Sequence, residues 1–251
     1  MSDWRLAWIT GASTGIGRDL ALRLAGRGVQ CAVTARTAAK LDELSNESDL
    51  ISAYPADVTD RAAVAKAVQD IESANGPIDL AILNAGVWMP MRAFDYDAEH
   101  AEQSMQVNYM GVANGVDALL SRMIERDHGR IAIVASVAGY RGLPLGAAYG
   151  PTKAALINLA ESLATDLDGT GVKISVINPG FIETPMTKDN DFPMPFIVTA
   201  DQAVDDILKG LDAGKFEIAF PRTFVTLLKA ARRAPYPVFF WLVRNFIRPK
   251  P

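Results

Sequence analysis

The feature that most limits what this chain can fold into is a regular alternation of short apolar runs with amphipathic stretches. Residues 6–10, 31–35, 51–54, 80–83, 131–135 and 172–177 read as strands, with 51–54 the weakest of them. Residues 16–25, 38–44, 61–73, 148–167 and 201–211 carry helical spacing, and Thr199 is placed to cap the last of these. Strands that alternate with helices build βαβ units. The expectation is an α/β fold, a doubly wound parallel sheet with helices on both faces. Such a sheet binds ligands outside the carboxyl ends of its strands. Residues 1–219 carry this pattern as one domain, and residues 220–251 read as a C-terminal helical extension rather than an independent domain. Residues 185–198, rich in Pro, Met and Phe, read as a loop or lid.

Composition excludes several function classes. Apolar residues make up 49% and charged residues 22%, the balance of a folded soluble protein. A formal net charge of −4 gives no overall case for nucleic-acid binding. Cys31 is the only cysteine, so an internal disulfide is impossible and a reducing, cytoplasmic compartment is expected. The start, Met1-Ser2-Asp3-Trp4-Arg5, has no basic n-region, and no signal peptide is expected. The two histidines, His100 and His128, form no metal-ligand spacing with Cys31, so no metal site is expected. Ser136 does not sit in a G-x-S-x-G elbow, which excludes that hydrolase chemistry.

The first strand runs into Thr10-Gly11-Ala12-Ser13-Thr14-Gly15-Ile16-Gly17. Glycines there let the backbone turn sharply and approach a phosphate, with the next helix aiming its free N–H groups at it. The same glycines can serve a tight turn alone, but their place between first strand and first helix favours a nucleotide. The second strand is followed by Arg36, with no acid before Asp42. A carboxylate there would hold the ribose 2′-OH of NAD, whereas an arginine accommodates the 2′-phosphate of NADP. That argues for NADP(H) over NAD(H); the alternative is a solvated surface arginine.

Tyr149 and Lys153 open the longest helix at i and i+4, on one face. A phenol with a pKa of about 10 needs roughly 4 kcal/mol of stabilisation of its anion to reach about 7. One ammonium about 4 Å away supplies about that much at an effective dielectric of 20. The pair is thus a candidate general acid/base. Ser136 ends an apolar strand, where its hydroxyl can meet a substrate carbonyl or simply begin a turn with Gly139. Asn108 is a polar residue in an apolar helical stretch, readable as a satisfied core amide or a helix kink. Trp88, Met89 and Met91 line either a substrate pocket or a satellite apolar cluster.

Together these residues resemble the short-chain dehydrogenase/reductase family over Thr10 to Thr184, in its order and spacing. The matching elements are the glycine turn, Asp57-Val58, Asn84-Ala85-Gly86, Asn108, Ser136, Tyr149-x-x-x-Lys153, and Pro179-Gly180 with Thr184. The resemblance implies a Rossmann-type sheet and an oxidoreductase that reduces a carbonyl or oxidises an alcohol. It implies that Tyr149 protonates the carbonyl and that Ser136 orients it. Lys153 would lower the tyrosine pKa and hold the nicotinamide ribose, and Asn108 would position a water in a relay to Lys153. It further implies that Asp57 contacts the adenine beside Val58, that Asn84, Ala85 and Gly86 pass along the cofactor, and that Pro179, Gly180, Ile182 and Thr184 border the nicotinamide. Asp57 and Pro179-Gly180 are also ordinary turn residues. Many NADP-preferring members carry Arg or Lys where this chain has Thr14, so a 2′-phosphate would rest on Arg36 with the hydroxyls of Ser13, Thr14 or Thr37. Leu83 replaces an asparagine common in the family. Members commonly form homodimers or homotetramers. The apolar stretches 88–94 and 185–198 lean toward a lipophilic substrate.

Residues 220–251 hold seven Lys/Arg (Arg222, Lys229, Arg232, Arg233, Arg244, Arg248 and Lys250) and no acid. The rest of the chain therefore sets 18 basic against 29 acidic residues. Two short amphipathic helices are expected, broken at Ala234-Pro235-Tyr236-Pro237, with Phe246 and Ile247 among the apolar positions. Aromatic and basic residues side by side suit an interfacial anchor on anionic lipid; the alternative is that the helices pack on the body or on a second subunit and cover the substrate pocket. Two other functions stay open, a non-catalytic NADP-binding sensor on the same fold and a membrane-surface scaffold.

Overall fold

The computed structural model describes residues 4–188, 190 and 192–247. The basic residues Arg248 and Lys250, and the side chains of Phe246 and Ile247, lie outside the described residues. Among those residues seven strands form one sheet: β1 (Leu6–Thr10), β2 (Gln30–Thr34), β3 (Ile51–Ala53), β4 (Leu80–Leu83), β5 (Gly129–Val134), β6 (Val172–Pro179) and β7 (Glu217–Phe220). Their order is β3-β2-β1-β4-β5-β6-β7, and every pairing is parallel. The central strands are mostly apolar because both faces are covered; all five residues of β1 are buried.

Alternate side chains of each strand feed two cores. Leu6 and Trp8 point into one, with Val64, Val68 and Ile71 of α3 (Arg61–Asn75), Leu119 and Met123 of α5 (Gly111–Glu125) and Leu156 of α6 (Tyr149–Asp166). Ala7 and Ile9 point into the other, with Leu20 and Leu24 of α1 (Gly15–Ala25), Leu41 and Leu44 of α2 (Ala38–Ser45) and Ile207 and Leu211 of α7 (Ala200–Asp212). Thr199 caps α7 through Gln202 N, and Gln202 returns the bond in a capping box. Pro151 falls in the first turn of α6, where its missing N–H costs no helical bond.

Several elements go beyond the sequence reading. β7 is a four-residue edge strand, and Phe220, read above as the start of the tail, closes it opposite Pro179. α4 (Ala98–Met105) runs into α5 through a π-helical turn at Gln106–Met110. The tail forms α8 (Arg222–Arg233) and α9 (Tyr236–Leu242), broken at Ala234-Pro235; Tyr236 and Pro237, expected in the break, open α9. α8 buries Phe224, Val225 and Leu228 in the core, so it packs on the body. α9 buries Phe239 and leaves Tyr236, Val238, Phe240 and Trp241 about half exposed or more. Among the described residues no helix is long and apolar enough to cross a membrane.

Candidate active site

The strand order reverses between β1 and β4, which opens a crevice at their carboxyl ends. Thr10 Oγ1 joins the two ends by accepting from the backbone N–H groups of Asn84 (3.0 Å) and Ala85 (3.2 Å). Gly11 has φ +67, and a Cβ there would stand 2.7 Å from Ala85 Cα, so the turn and strand meet at a distance only glycine permits. A Cβ on Gly86 would meet Asn108 Oδ1 at 3.1 Å and Lys153 Nζ at 3.6 Å.

A groove of about 310 Å³ runs along this crevice. It is lined by Gly11, Ser13, Thr14, Gly15, Ile16, Arg36, Asp57, Val58, Asn84, Ala85, Gly86 and Thr184, twelve of the residues expected to hold a dinucleotide. Three observations fit such a ligand. The Thr14 side chain makes no cap at the start of α1, which leaves first-turn N–H groups for an anion. Arg36 stands exposed on the groove wall. Asp57, whose Oδ1 accepts from Thr59 N (2.9 Å) and Oγ1 (2.8 Å), is held below the usual carboxylate range by those bonds and stays ionised. Gly17 is not among the residues that line the groove. A Cβ there would be 2.6 Å from both Asn84 Nδ2 and Gly11 O, so it is a packing glycine.

The catalytic candidates converge on a second, adjoining cavity of about 190 Å³. Ser136, Tyr149, Lys153, Pro179, Gly180 and Ile182 line it, and it shares Ile16, Asn84, Gly86, Thr184 and Met186 with the groove. Local structure explains the convergence. Ser136 follows β5 and accepts from Ala138 N at 3.1 Å, opening a tight turn over Val137–Gly139. A Cβ on Gly139 would come within 2.7 Å of the Lys153 carbonyl carbon, so this glycine lets the turn press against α6 and sets Ser136 beside Tyr149. Ser136 Oγ also makes a hydrogen bond with the Tyr149 phenol and a long 3.4 Å bond to Pro179 O, the latter readily exchanged for a ligand oxygen.

The Lys153 ammonium is 5.4 Å from the centre of the Tyr149 ring and only 3% of the residue is exposed. Here the electrostatics differ from the sequence expectation. Burial pushes the Tyr149 phenol up to about 12, with a Ser136 hydrogen bond pulling the other way, and pushes Lys153 down to about 7. The Coulomb argument from spacing left out desolvation, which disfavours both charged forms and here dominates. The side chains alone keep the phenol protonated at neutral pH.

Asn108 is fully buried on the π-helical turn, outside both cavities. Its Oδ1 accepts from Val87 N at 2.7 Å, and its Nδ2 donates to Val87 O (3.0 Å) and Thr152 Oγ1 (3.1 Å). It is both a satisfied core amide and the site of a helix irregularity, and it holds the 86–88 loop against α6.

Of the two readings open for Trp88, the structure places it in the cavity wall, and Phe224 of the tail completes that wall. Trp88 packs edge-on against Tyr149, ring centres 5.1 Å apart, and donates through Nε1 to Asn190 Oδ1 at 3.1 Å. That bond pins the 185–198 loop over the site; Asp189 and Asp191 of that loop lie outside the described residues. Phe224 of α8 stacks on Phe181 (5.7 Å) and Phe196 (5.8 Å) and lines the cavity from the tail. Among the described residues no group of three His, Cys, Asp or Glu is placed to hold a metal.

Known proteins resemble this chain over its length. A family model described as short chain dehydrogenase matches residues 5–193. An oxidoreductase of Myxococcus xanthus, otherwise uncharacterised, is 37% identical over 241 residues, covering 94% of this chain and 95% of its own. A short chain dehydrogenase/reductase of Burkholderia phymatum, solved in complex with NAD, has a TM-score of 0.84 at 23% identity and covers 99% of this chain and 98% of its own. An alcohol dehydrogenase of Thermococcus sibiricus, solved with 5-hydroxy-NADP, has a TM-score of 0.78 at 23% identity, with 87% and 96% covered. The two solved structures share the fold and differ in the cofactor they carry. By the family match and the relative at 37% identity, this chain belongs to the short-chain dehydrogenase family of oxidoreductases.

Proposed function

We propose that this protein is an NADP(H)-dependent oxidoreductase that moves a hydride between the nicotinamide and the carbonyl or alcohol carbon of a lipophilic small molecule. One observation carries the reading: Ser136, Tyr149 and Lys153 line a single, mostly apolar cavity that is continuous with the glycine-cradled groove through Ile16, Asn84, Gly86, Thr184 and Met186.

Bound along the groove, the reduced cofactor supplies the hydride that the carbonyl carbon accepts. The chain's own groups do the rest. Ser136 gives up its long bond to Pro179 O and donates to the substrate oxygen. Tyr149, protonated at neutral pH, gives that oxygen its proton as the carbon is reduced. Lys153 keeps one N–H on Val134 O at 2.8 Å and has others for the ribose hydroxyls. Near pH 7 it is poised to pass a proton back toward the phenol. Asn108 holds the 86–88 loop and offers the remaining lone pair of Oδ1 to a relay water. Arg36 is the group for a 2′-phosphate, with the hydroxyls of Ser13, Thr14 and Thr37 beside it. The intact Ser/Tyr/Lys set favours an enzyme over a binding-only sensor.

The catalytic domain in this reading is residues 1–219, completed by α8 of the 220–251 extension, whose Phe224 lines the cavity, while α9 touches anionic membrane through its exposed face. It works as a homodimer or homotetramer in the cytoplasm, a setting that the lone buried thiol of Cys31 fits. The test is the loss of NADPH absorbance over a panel of ketones, aldehydes, β-oxoacyl thioesters and steroids, with NADH in parallel. Turnover of no member with either cofactor overturns the reading.

A further inference from the structure

The catalytic cavity is small for a substrate site. Its volume is about 190 Å³, below the roughly 300 Å³ at which ligand pockets begin. Beside it lies a groove of about 720 Å³, large enough to enclose a whole small ligand. The two share Ala138, Leu143, Pro144 and Gly146, so the loop that follows Ser136 forms a wall of both. Nothing in the mechanism above uses this second groove.

Its chemistry restricts what it can hold. Met91, Leu145, Ala147, Pro151 and Ala154 give it an apolar lining. Of its polar side chains, Arg92 stands exposed at one end, while Tyr140 and Arg141 are committed elsewhere. The Tyr140 hydroxyl donates to Glu217 Oε1 at 2.6 Å. The Arg141 guanidinium donates to the carbonyl oxygens of Ala231, Arg232 and Ala234. Away from Arg92 a polar ligand meets few free side-chain partners, whereas an aliphatic one needs none. Phe94, 90% exposed, extends the apolar surface at the rim. The shared wall is also strained: Leu145 holds φ +63, a conformation that a branched residue adopts only when its surroundings enforce it. Its carbonyl is held by Met91 N at 2.9 Å, across the mouth of the groove. Strain of this kind gathers at ligand clamps.

We propose that this groove takes a straight aliphatic chain of the substrate, and that the enzyme acts on long-chain carbonyl or alcohol compounds. The reacting carbon lies at Ser136 and Tyr149, and the chain passes over the Leu143–Pro144 wall into the groove. The inference rests on the catalytic reading above and names the substrate class for it.

The test uses straight-chain aldehydes from butanal to dodecanal with NADPH, together with calorimetric binding of dodecanol. In the parent, kcat/KM rises about fourfold per added methylene until the groove is full. Ala154→Trp and Ala147→Phe fill the groove from its exposed side and leave the catalytic cavity untouched. Each flattens the chain-length dependence and weakens dodecanol binding at least about tenfold, with butanal turnover unchanged. If aldehydes are reduced without dependence on length, or both variants keep the parent's dependence, the groove assignment fails and the catalytic reading stands. If no aldehyde is reduced but dodecanol binds and both variants weaken it, the catalytic reading fails and the groove stands. A change in sedimentation of the variants with chain preference intact would mean that a second copy of this chain covers the groove, and would overturn the proposal.

Discussion

Lys153 Nζ donates to the carbonyl oxygen of Val134 at 2.8 Å. Val134 ends β5 two residues before Ser136, so this bond locks α6 to the strand that delivers the serine. The candidate acid/base and the carbonyl-orienting hydroxyl are thereby held in one frame. The same burial costs Lys153 its charge near neutral pH, and that cost is measurable.

Lys153 has its pKa depressed to about 7 in the folded protein, against about 10.4 in an unfolded chain. Below about pH 7 both states carry the charge, and the folded state bears the whole cost of burying it. Between about 7 and 10.4 the folded state releases its proton first, so the cost fades as pH rises. Lys153→Met is therefore more stable than the parent near about pH 6, by a few kcal/mol, and the difference shrinks toward about pH 10. Denaturant unfolding of both proteins across that range checks it. A difference that does not change with pH contradicts the assignment.

Arg36→Asp should weaken NADPH binding roughly 10–150-fold, the loss of one charge-assisted contact of about 1.5–3 kcal/mol, and turn preference toward NADH. Calorimetry on parent and variant reads it. Equal affinity of the parent for the two cofactors means that Arg36 does not read the 2′-phosphate.

Arg141 donates to three carbonyl oxygens at the end of α8 and lies over the rings of Tyr236 (4.8 Å) and Phe239 (4.2 Å). It is the clamp that sets α9 against the body. Arg141→Met should lower stability by about 1.5–3 kcal/mol and speed amide exchange over α9, with β1 to β6 little changed. Unaltered exchange in α9 would show that Phe239 packing alone holds the helix.

The exposed aromatic face of α9 and the basic residues around it predict cosedimentation with anionic liposomes, weakening as salt rises. Deleting the whole tail is a poor control, because α8 supplies Phe224, Val225 and Leu228 to the core. Phe240→Ser with Trp241→Ser leaves that core intact and should release the protein from vesicles. Parent protein that remains in the supernatant at low salt rules the membrane role out.

Burial on both faces made the central strands readable, because a strand covered twice shows a continuous apolar run, as residues 6–9 and 131–135 do. The glycine turn and the i, i+4 pair of Tyr149 and Lys153 were equally plain, since each is a local spacing. What lay beyond reach depends on distant packing. β7 opens on Glu217 and lacks the uninterrupted apolar run that marks the equally short β4. The sequence leaves open a tail packed over the substrate pocket, but Phe224 reads there as one apolar position among many, and nothing local says that it is the residue that lines the cavity. The spacing placed a cation beside the phenol but carried no information on burial, and burial decides the sign of both pKa shifts. Gly17 looked like part of the phosphate cradle; its role depends on Asn84, which is far from it in sequence.

The central claim is that Tyr149 is the proton donor. Tyr149→Phe keeps the ring that packs on Trp88 and removes only the hydroxyl. Single-turnover kinetics with NADPH and a carbonyl that the parent reduces should show the rate of reduction fall by about 10²–10⁴, with NADPH affinity little changed. A variant that reduces the same carbonyl at a near-parental rate contradicts the account.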